Sequence, residues 1–305
     1  MKALFITTNT SDCANHVRAW NSFEPVPAYH LKYDLNITGV VRRPECTLVA
    51  KEVSPDVIFY IGAYSNPNNP RPGDLRELRD YAPVVLICSD AQDTEWHSVL
   101  DDFKKRNSID LSVAIDGALN SPADMTTLTP VDPTPFSGIR ENDIRCGFSG
   151  TVVGRDNRRA SLMRFLEETG DLIVRRRWPR EGYDDHAQFL LRCRMLLNVS
   201  VTGSERDNHI KGRVLEAGWA GCALLENIES PIANWFPQGS WLSYIDPPDA
   251  ARVIAETSDT EIADVAGKLS EHVRSHYRPE MIYGGILREL GLTKQGTSPK
   301  LEAAD

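Results

Sequence analysis

Apolar residues fall along this chain in two series of short runs separated by a proline-rich gap. In the first series, positions 3–7, 57–61, 84–88 and 111–115 are nearly continuous apolar stretches, closed by polar or small residues such as Gly62, Ser89, Asp90 and Asp116. Runs that short and that uniformly apolar predict strands buried on both faces of a parallel sheet. Between them the spacing turns helical, from about His16 onward and over 73–81. Parallel neighbours need such crossovers. Residues 21–50 read poorly, because Pro25, Pro27 and Pro44 interrupt them and only 39–41 and 46–50 carry a pattern.

Pro122, Pro130, Pro133 and Pro135 stand among Ser, Thr and Asp over 120–140. Neither regular structure continues through such a stretch, which places an interdomain linker near 129–137. A second series of the same kind follows. Strands are expected at 145–148, 172–174, 195–201, 223–225 and 241–245, with helices at 158–169, 247–257, 260–276 and 280–290, the last starting after Pro279. Strand and helix alternating twice over predict an α/β protein with two doubly wound sheets, although no internal sequence repeat is visible. Residues 293–305 are small and polar, the composition of a flexible tail.

The stretch 208–225, NHIKGRVLEAGWAGCALL, carries the most chemistry. Val214, Leu215, Ala217 and Gly218 lie at helical spacing and face a sheet, Gly221 ends the helix, and 222–225 is the next buried strand. Lys211 and Arg213 stand at the helix start beside Glu216. Two cations and a carboxylate at the mouth of such a unit suit a ligand with a diphosphate and a hydroxylated ring, which is a nucleotide-sugar. The same three residues equally suit a solvated helix face, so the assignment leans on its context.

That context is a resemblance. Arg213 with Glu216 three residues on, Gly221, an apolar strand, Phe236-Pro237 with Gly239, and a strand ending at Asp246 resemble the C-terminal half of GT-B glycosyltransferases. They are most similar to the CgeB-type (spore-maturation-like) branch of the family-1 group. Residues 183–200 resemble the helix-then-strand segment of that branch, and Ser275-His276-Tyr277 its closing helix. The resemblance covers roughly 145–290. It implies a GT-B fold of two Rossmann-like domains facing across a cleft. Residues 1–132 would form the acceptor-side domain, 141–279 the nucleotide-sugar domain, and the helix 280–292 would pack back on the first. A UDP-sugar is the favoured donor, and no cofactor is implied beyond that substrate. The acceptor stays open among glycan, protein and small molecule.

Composition narrows the picture further. A formal net charge of −9 and a pI near 5.4 argue against nucleic acid or an anionic membrane as the main partner, and make a DNA base the weaker acceptor class. Six cysteines with no C-x-x-C pair read as reduced core residues. No run approaches the length of a membrane span or a secretory signal, so the expectation is a cytoplasmic protein.

Candidate binding residues follow from the strand ends. Gly150, Thr151 and Arg155 lie on a glycine-containing turn between a strand and a helix, where backbone N–H groups and the helix dipole favour a phosphate. The turn lacks both the G-x-G-x-x-G fingerprint and the Walker pattern, which disfavours dehydrogenases and ATPases. Ser204 and Asn208 lie on the loop after the 195–201 strand, beyond the carboxyl end where ligands of open sheets sit. Lys211, Arg213 and Glu216 complete the donor set. Arg175 or Arg177 is a further possible lining residue, although the basic run 175–180 also fits a solvated strand end. Many retaining GT-B enzymes carry a second glutamate after seven intervening residues; here Leu224 holds that place and Glu226 follows two residues later, so Glu226 is a candidate and retention versus inversion stays open.

For catalysis, Asp90 just past a strand end and His16 at the opening of the first helix are candidates for the acceptor side, with His97 a third. No D-x-D triplet occurs, so no metal site is expected and Lys211 and Arg213 would supply the positive charge. Metal-independent transfer of a sugar is the leading function. A nucleotide-sugar 2-epimerase of the same fold and a non-catalytic nucleotide-sugar-binding protein are the rivals.

Overall fold

The computed structural model describes residues 1–8, 11–33, 45–61, 70, 72–94, 97–150, 152, 158–176, 182–202 and 205–292. The first half builds a parallel six-stranded sheet from β1 (Ala3–Thr8), β2 (Tyr29–Tyr33), β3 (Val57–Ile61), β4 (Val84–Cys88), β5 (Leu111–Ala114) and β6 (Met125–Thr126), in the order β2-β1-β3-β4-β5-β6. The second half builds a parallel five-stranded sheet from β7 (Ile144–Gly150), β8 (Ile173–Arg176), β9 (Cys193–Leu197), β10 (Ala223–Asn227) and β11 (Leu242–Tyr244), in the order β11-β10-β9-β7-β8. Around them lie α1 (Ser11–Asn21), α2 (Cys46–Val53), α3 (Pro72–Glu77), α4 (His97–Asn107), α5 (Arg158–Glu168), α6 (Tyr183–Arg192), α7 (Arg213–Ala220), α8 (Pro247–Glu256), α9 (Asp259–His276) and α10 (Pro279–Glu289). No described helix is long and apolar enough to cross a membrane.

Uniform apolarity has the structural reason expected of it. Along β1, Ala3 and Phe5 point to one side of the sheet and Leu4 and Ile6 to the other, and all four are fully buried. The first pair joins a core that runs on through Val131 and Phe136 into the second sheet's inner face at Leu196 and Leu224. The second pair joins a core confined to the outer helices of the first domain, and a matching outer core in the second domain centres on Phe148, Met163 and Leu197. The proline-rich segment is therefore packed: Leu128, Val131, Asp132 and Phe136 are buried, and the turn Thr134–Ser137 lies against α6. Its continuation is also tied down, because the Arg140 guanidinium donates to the carbonyl of Gly221 at the α7 C-terminus and, at 2.8 Å, to that of Cys193.

Two close approaches set the helix positions that matter to the site. A Cβ on Gly218 would lie 2.4 Å from Val273 Cγ2, so the glycine lets α7 lie against α9. Helix α10 returns to the first domain, where the Tyr283 ring meets Phe5, Trp20, Phe23 and Phe59 at centroid separations of 5.1–6.2 Å. Its hydroxyl donates to the His16 carbonyl at 2.9 Å, which pins α1 where the first loop opens.

The elements differ from the sequence reading in several places: the two-residue strand β6 pairs with β5 inside the proline-rich stretch, α4 is absent from the sequence reading, and β8 runs 173–176, not 172–174. Helix α1 begins at Ser11, ahead of His16. Strand β2 falls inside the stretch that read poorly, and α2 occupies the patterned positions from Cys46. Strand β9 is Cys193–Leu197, not 195–201, because β10 pairs with residues 195–197 only, and beyond them Val201 makes an isolated antiparallel bridge with Asn208. The 39–41 run and the 293–305 tail lie outside the described residues.

Candidate functional site

In an open α/β sheet a ligand sits beyond the carboxyl ends of the strands, where connections leave in opposite directions. In the second sheet that point lies between β7 and β9, and Arg213 reaches across it. Its Nε donates to the Ser149 carbonyl at the end of β7 at 2.6 Å, and Nη1 points to Asn198 Oδ1, just past β9, at 3.4 Å. The guanidinium also lies 4.9 Å from the Phe148 ring centroid. Gly150 makes room for it, since a Cβ there would stand 2.2 Å from Nη2. The strand's last glycine thus admits a cation beside the turn.

Facing this point, the carboxyl ends of the first sheet close a cleft of about 300 Å³. One wall carries Asn15, His16, Ile61, Ser89 and Ile115, the floor runs along Thr129 to Val131, and the other wall carries Ser149, Gly150, Arg159, Lys211, Arg213, His186 and Glu216. Three cations therefore share one wall. Burial, with Arg159 and Arg213 nearby, outweighs the opposing fields of Asp90 and Asp116 and pushes the Lys211 ammonium down to about 8. A buried amine crowded by like charges gains most from an anionic ligand.

A second network lies deeper on the same wall. His186 Nδ1 is 2.9 Å from Ser149 Oγ, and its Nε2 is 3.0 Å from Glu216 Oε2. Arg175 Nη1 approaches the same Ser149 oxygen at 3.5 Å. Burial alone would raise the Glu216 carboxyl, but the adjoining His186 and Arg213 hold it below its ordinary value. Glu216 thus stands as an anion within reach of the cations.

Of the donor residues read from sequence, Gly150, Lys211, Arg213 and Glu216 come together on this wall. Glu226 is fully buried behind it: Asn198 Nδ2 donates to Oε2 at 2.6 Å and the Asn227 N–H to Oε1 at 3.0 Å. Burial pushes its carboxyl up to about 7. Asn208 is turned to its own loop, where it accepts from Ser200 Oγ at 3.0 Å and bridges Val201. Thr151, Arg155, Arg177 and Ser204 lie outside the described residues. On the opposite wall His16 is 4% exposed and lines the cleft. Asp90, with φ of 53°, is half-exposed, is not part of the cleft lining, and comes within 3.6 Å of His209 Nδ1. The His97 ring bonds the Ala91 carbonyl at 2.9 Å and is not part of the cleft lining. Sequence reasoning passed over Arg159, Ser149 and His186. Arg159 had a signal, a cation in the first turn of the helix that follows the glycine-containing turn; the other two gain a role only through partners 30 to 37 residues away.

Residues 145–287 match the glycosyl transferase-like family model, a span from β7 to α10. No curated protein is similar in sequence. Among solved structures the chain is similar to Anabaena HepE in complex with UDP and glucose, at 10% identity over 95% of this chain and 99% of that one, with a TM-score of 0.64. It is similar to an α-glucosyltransferase in complex with UDP-glucose and DNA containing an abasic site, at 9% identity, the same coverages and a TM-score of 0.61. It is similar also to T4 phage BGT in complex with its UDP-glucose substrate, at 10% identity, again over 95% and 99%, with a TM-score of 0.56. At such identities the likeness establishes architecture: this chain has the GT-B fold, two Rossmann-like α/β domains facing across a cleft.

Proposed function

We propose that this protein is a glycosyltransferase of the CgeB-type branch that moves a sugar from a nucleoside diphosphate sugar, with UDP-sugar favoured, to an acceptor entering from the His16 wall. The observation that carries the reading is the set of Lys211, Arg159 and Arg213 on one wall of the interdomain cleft, at the switch point of the second sheet, with Glu216 beside them. The cations take the diphosphate and Glu216 accepts from ribose hydroxyls. Fixed positive charge at the departing diphosphate stabilises the charge that develops as the glycosidic bond breaks. That role needs no divalent ion, which is why transfer is proposed to be metal-independent. The solved relatives were captured with UDP or UDP-glucose, which supports the choice of base.

On the facing wall, His16 lines the cleft and is the candidate group to receive the acceptor proton. Asp90, the other candidate, is not part of the cleft lining, and its charge supports the Lys211 ammonium. The test is calorimetric binding of UDP and UDP-glucose, followed by release of UDP with and without excess EDTA. Binding that is lost in Arg213→Ala, by about 2–5 kcal/mol for a desolvated charge contact, supports the donor site. Absence of binding by the parent protein overturns it. Activity abolished by EDTA and restored by a divalent ion overturns the metal-free mechanism, and conversion of the donor to its 2-epimer without an acceptor gives the reaction to an epimerase.

A further inference from the structure

Ser149 occupies a double position. Its carbonyl accepts from Arg213 Nε at 2.6 Å, and its hydroxyl lies 2.9 Å from His186 Nδ1, while the far nitrogen of that ring lies 3.0 Å from Glu216 Oε2. One residue at the end of β7 therefore connects the cation assigned to the diphosphate with the carboxylate assigned to the ribose.

The hydrogen bonds have a consistent direction. Glu216 is an anion and only accepts, so His186 Nε2 carries the proton. Nδ1 is paired with the Ser149 hydroxyl, whose oxygen also has a lone pair for Arg175 Nη1 at 3.5 Å. The opposite tautomer would set an imidazole lone pair against a carboxylate. The charged groups around the ring are Glu216 and Arg213 from α7 and Arg175 from β8. Tyr183 lies on its own helix, with Arg18 of α1 beyond it at 5.4 Å from the Tyr183 ring. An ionised carboxylate offers about four lone-pair sites, and the imidazole takes one.

The geometry points to His186 as a positioning residue for the donor: through Ser149 and Glu216 it holds the ribose-binding carboxylate in fixed relation to the phosphate-binding Arg213. This rests on the donor site proposed above. Both ring nitrogens of His186 are taken by Ser149 and Glu216, so its effect is expected to act through Glu216 on ligands that carry a ribose.

The experiment compares UDP, 2′-deoxy-UDP and pyrophosphate as calorimetric ligands for the parent, His186→Asn and His186→Gln, with thermal melting of each. Glutamine carries an amide N–H at about the reach of Nε2, whereas asparagine is too short to meet Glu216. The expected result is that His186→Asn loses tenfold or more in UDP affinity, keeps its pyrophosphate affinity, and no longer separates UDP from 2′-deoxy-UDP. His186→Gln recovers most of the UDP affinity. If His186→Asn binds UDP as tightly as the parent, or if both variants lose UDP and pyrophosphate alike, the positioning role is wrong while the donor site stands. A parent protein that binds neither UDP nor pyrophosphate overturns the donor site and this role with it.

Discussion

His209 of the second domain donates to Asp116 of the first: Nδ1 stands 3.1 Å from Asp116 Oδ2, and both side chains are buried, at 3% and 5% exposure. Around this pair the Ile210 N–H donates to the Asp116 carbonyl at 2.9 Å, the Trp235 indole to the Gly117 carbonyl at 3.2 Å, and Thr94 to Asp207 at 3.1 Å. Truncating either partner leaves a buried polar group unpaired. His209→Ala and Asp116→Ala should each cost about 1–3 kcal/mol. The double variant should cost clearly less than their sum. A urea-denaturation cycle measures this, and additivity within about 0.5 kcal/mol would mean that the two residues do not couple.

Lys211 gives the donor site a pH dependence. Its folded ammonium loses its proton near 8, chiefly through burial, whereas an unperturbed lysine stays charged to 10.5. A bound diphosphate requires the charged form, so binding above that value must take up a proton. UDP affinity should therefore be level below pH 8 and fall about tenfold per pH unit above it, as linkage to one proton requires. Lys211→Arg, which stays charged, should flatten the profile. An unchanged slope in that variant would place the titrating group elsewhere.

Glu226 ties stability to pH over a lower range. Burial raises its folded pKa from 4.5 to about 7, against the hydrogen bonds from Asn198 and Asn227. Between those values the folded state holds the proton more firmly than the unfolded chain does. Stability should thus fall as pH rises from 4.5 through 7, by about 3 kcal/mol at most. Glu226→Gln keeps the shape and removes the titration. Melting temperatures of parent and variant should converge toward pH 4.5 and diverge at pH 8, with the variant higher; parallel profiles would mean that Glu226 stays ionised.

Gly150→Ala separates fold from binding. The added methyl would meet the far end of the Arg213 side chain at 2.2 Å, and that side chain can swing where backbone could not. The variant should melt close to the parent and bind UDP at least tenfold more weakly. Calorimetry and a thermal melt on one preparation decide it, and retained affinity would show that Arg213 does not need the room.

The sequence was most legible where one local property decides the structure. The strands 57–61 and 84–88 are buried on both faces, so apolarity alone identifies them. Strand β2, Tyr29-His30-Leu31-Lys32-Tyr33, is an edge strand paired with β1 only, and its polar positions and nearby prolines hide it. In the site, Lys211, Arg213 and Glu216 share one helix start and could be read together. His186 could not, because its two bonds reach Ser149 and Glu216 from other elements and nothing in the sequence around it marks those distances. Glu226 was legible as a carboxylate at a strand end but not as a fully buried one, since its burial comes from Asn198 and Tyr244 on neighbouring elements.

Helix α10 completes the aromatic wall of the first domain from the far side of the second. During synthesis, Phe5, Trp20 and Phe59 leave the ribosome long before Tyr283 exists to cover them. At about 5–20 residues per second the delay while the second domain is made is on the order of ten seconds. The first domain therefore waits with an open apolar face until α10 is made, and that helix retires it as a surface for chaperones.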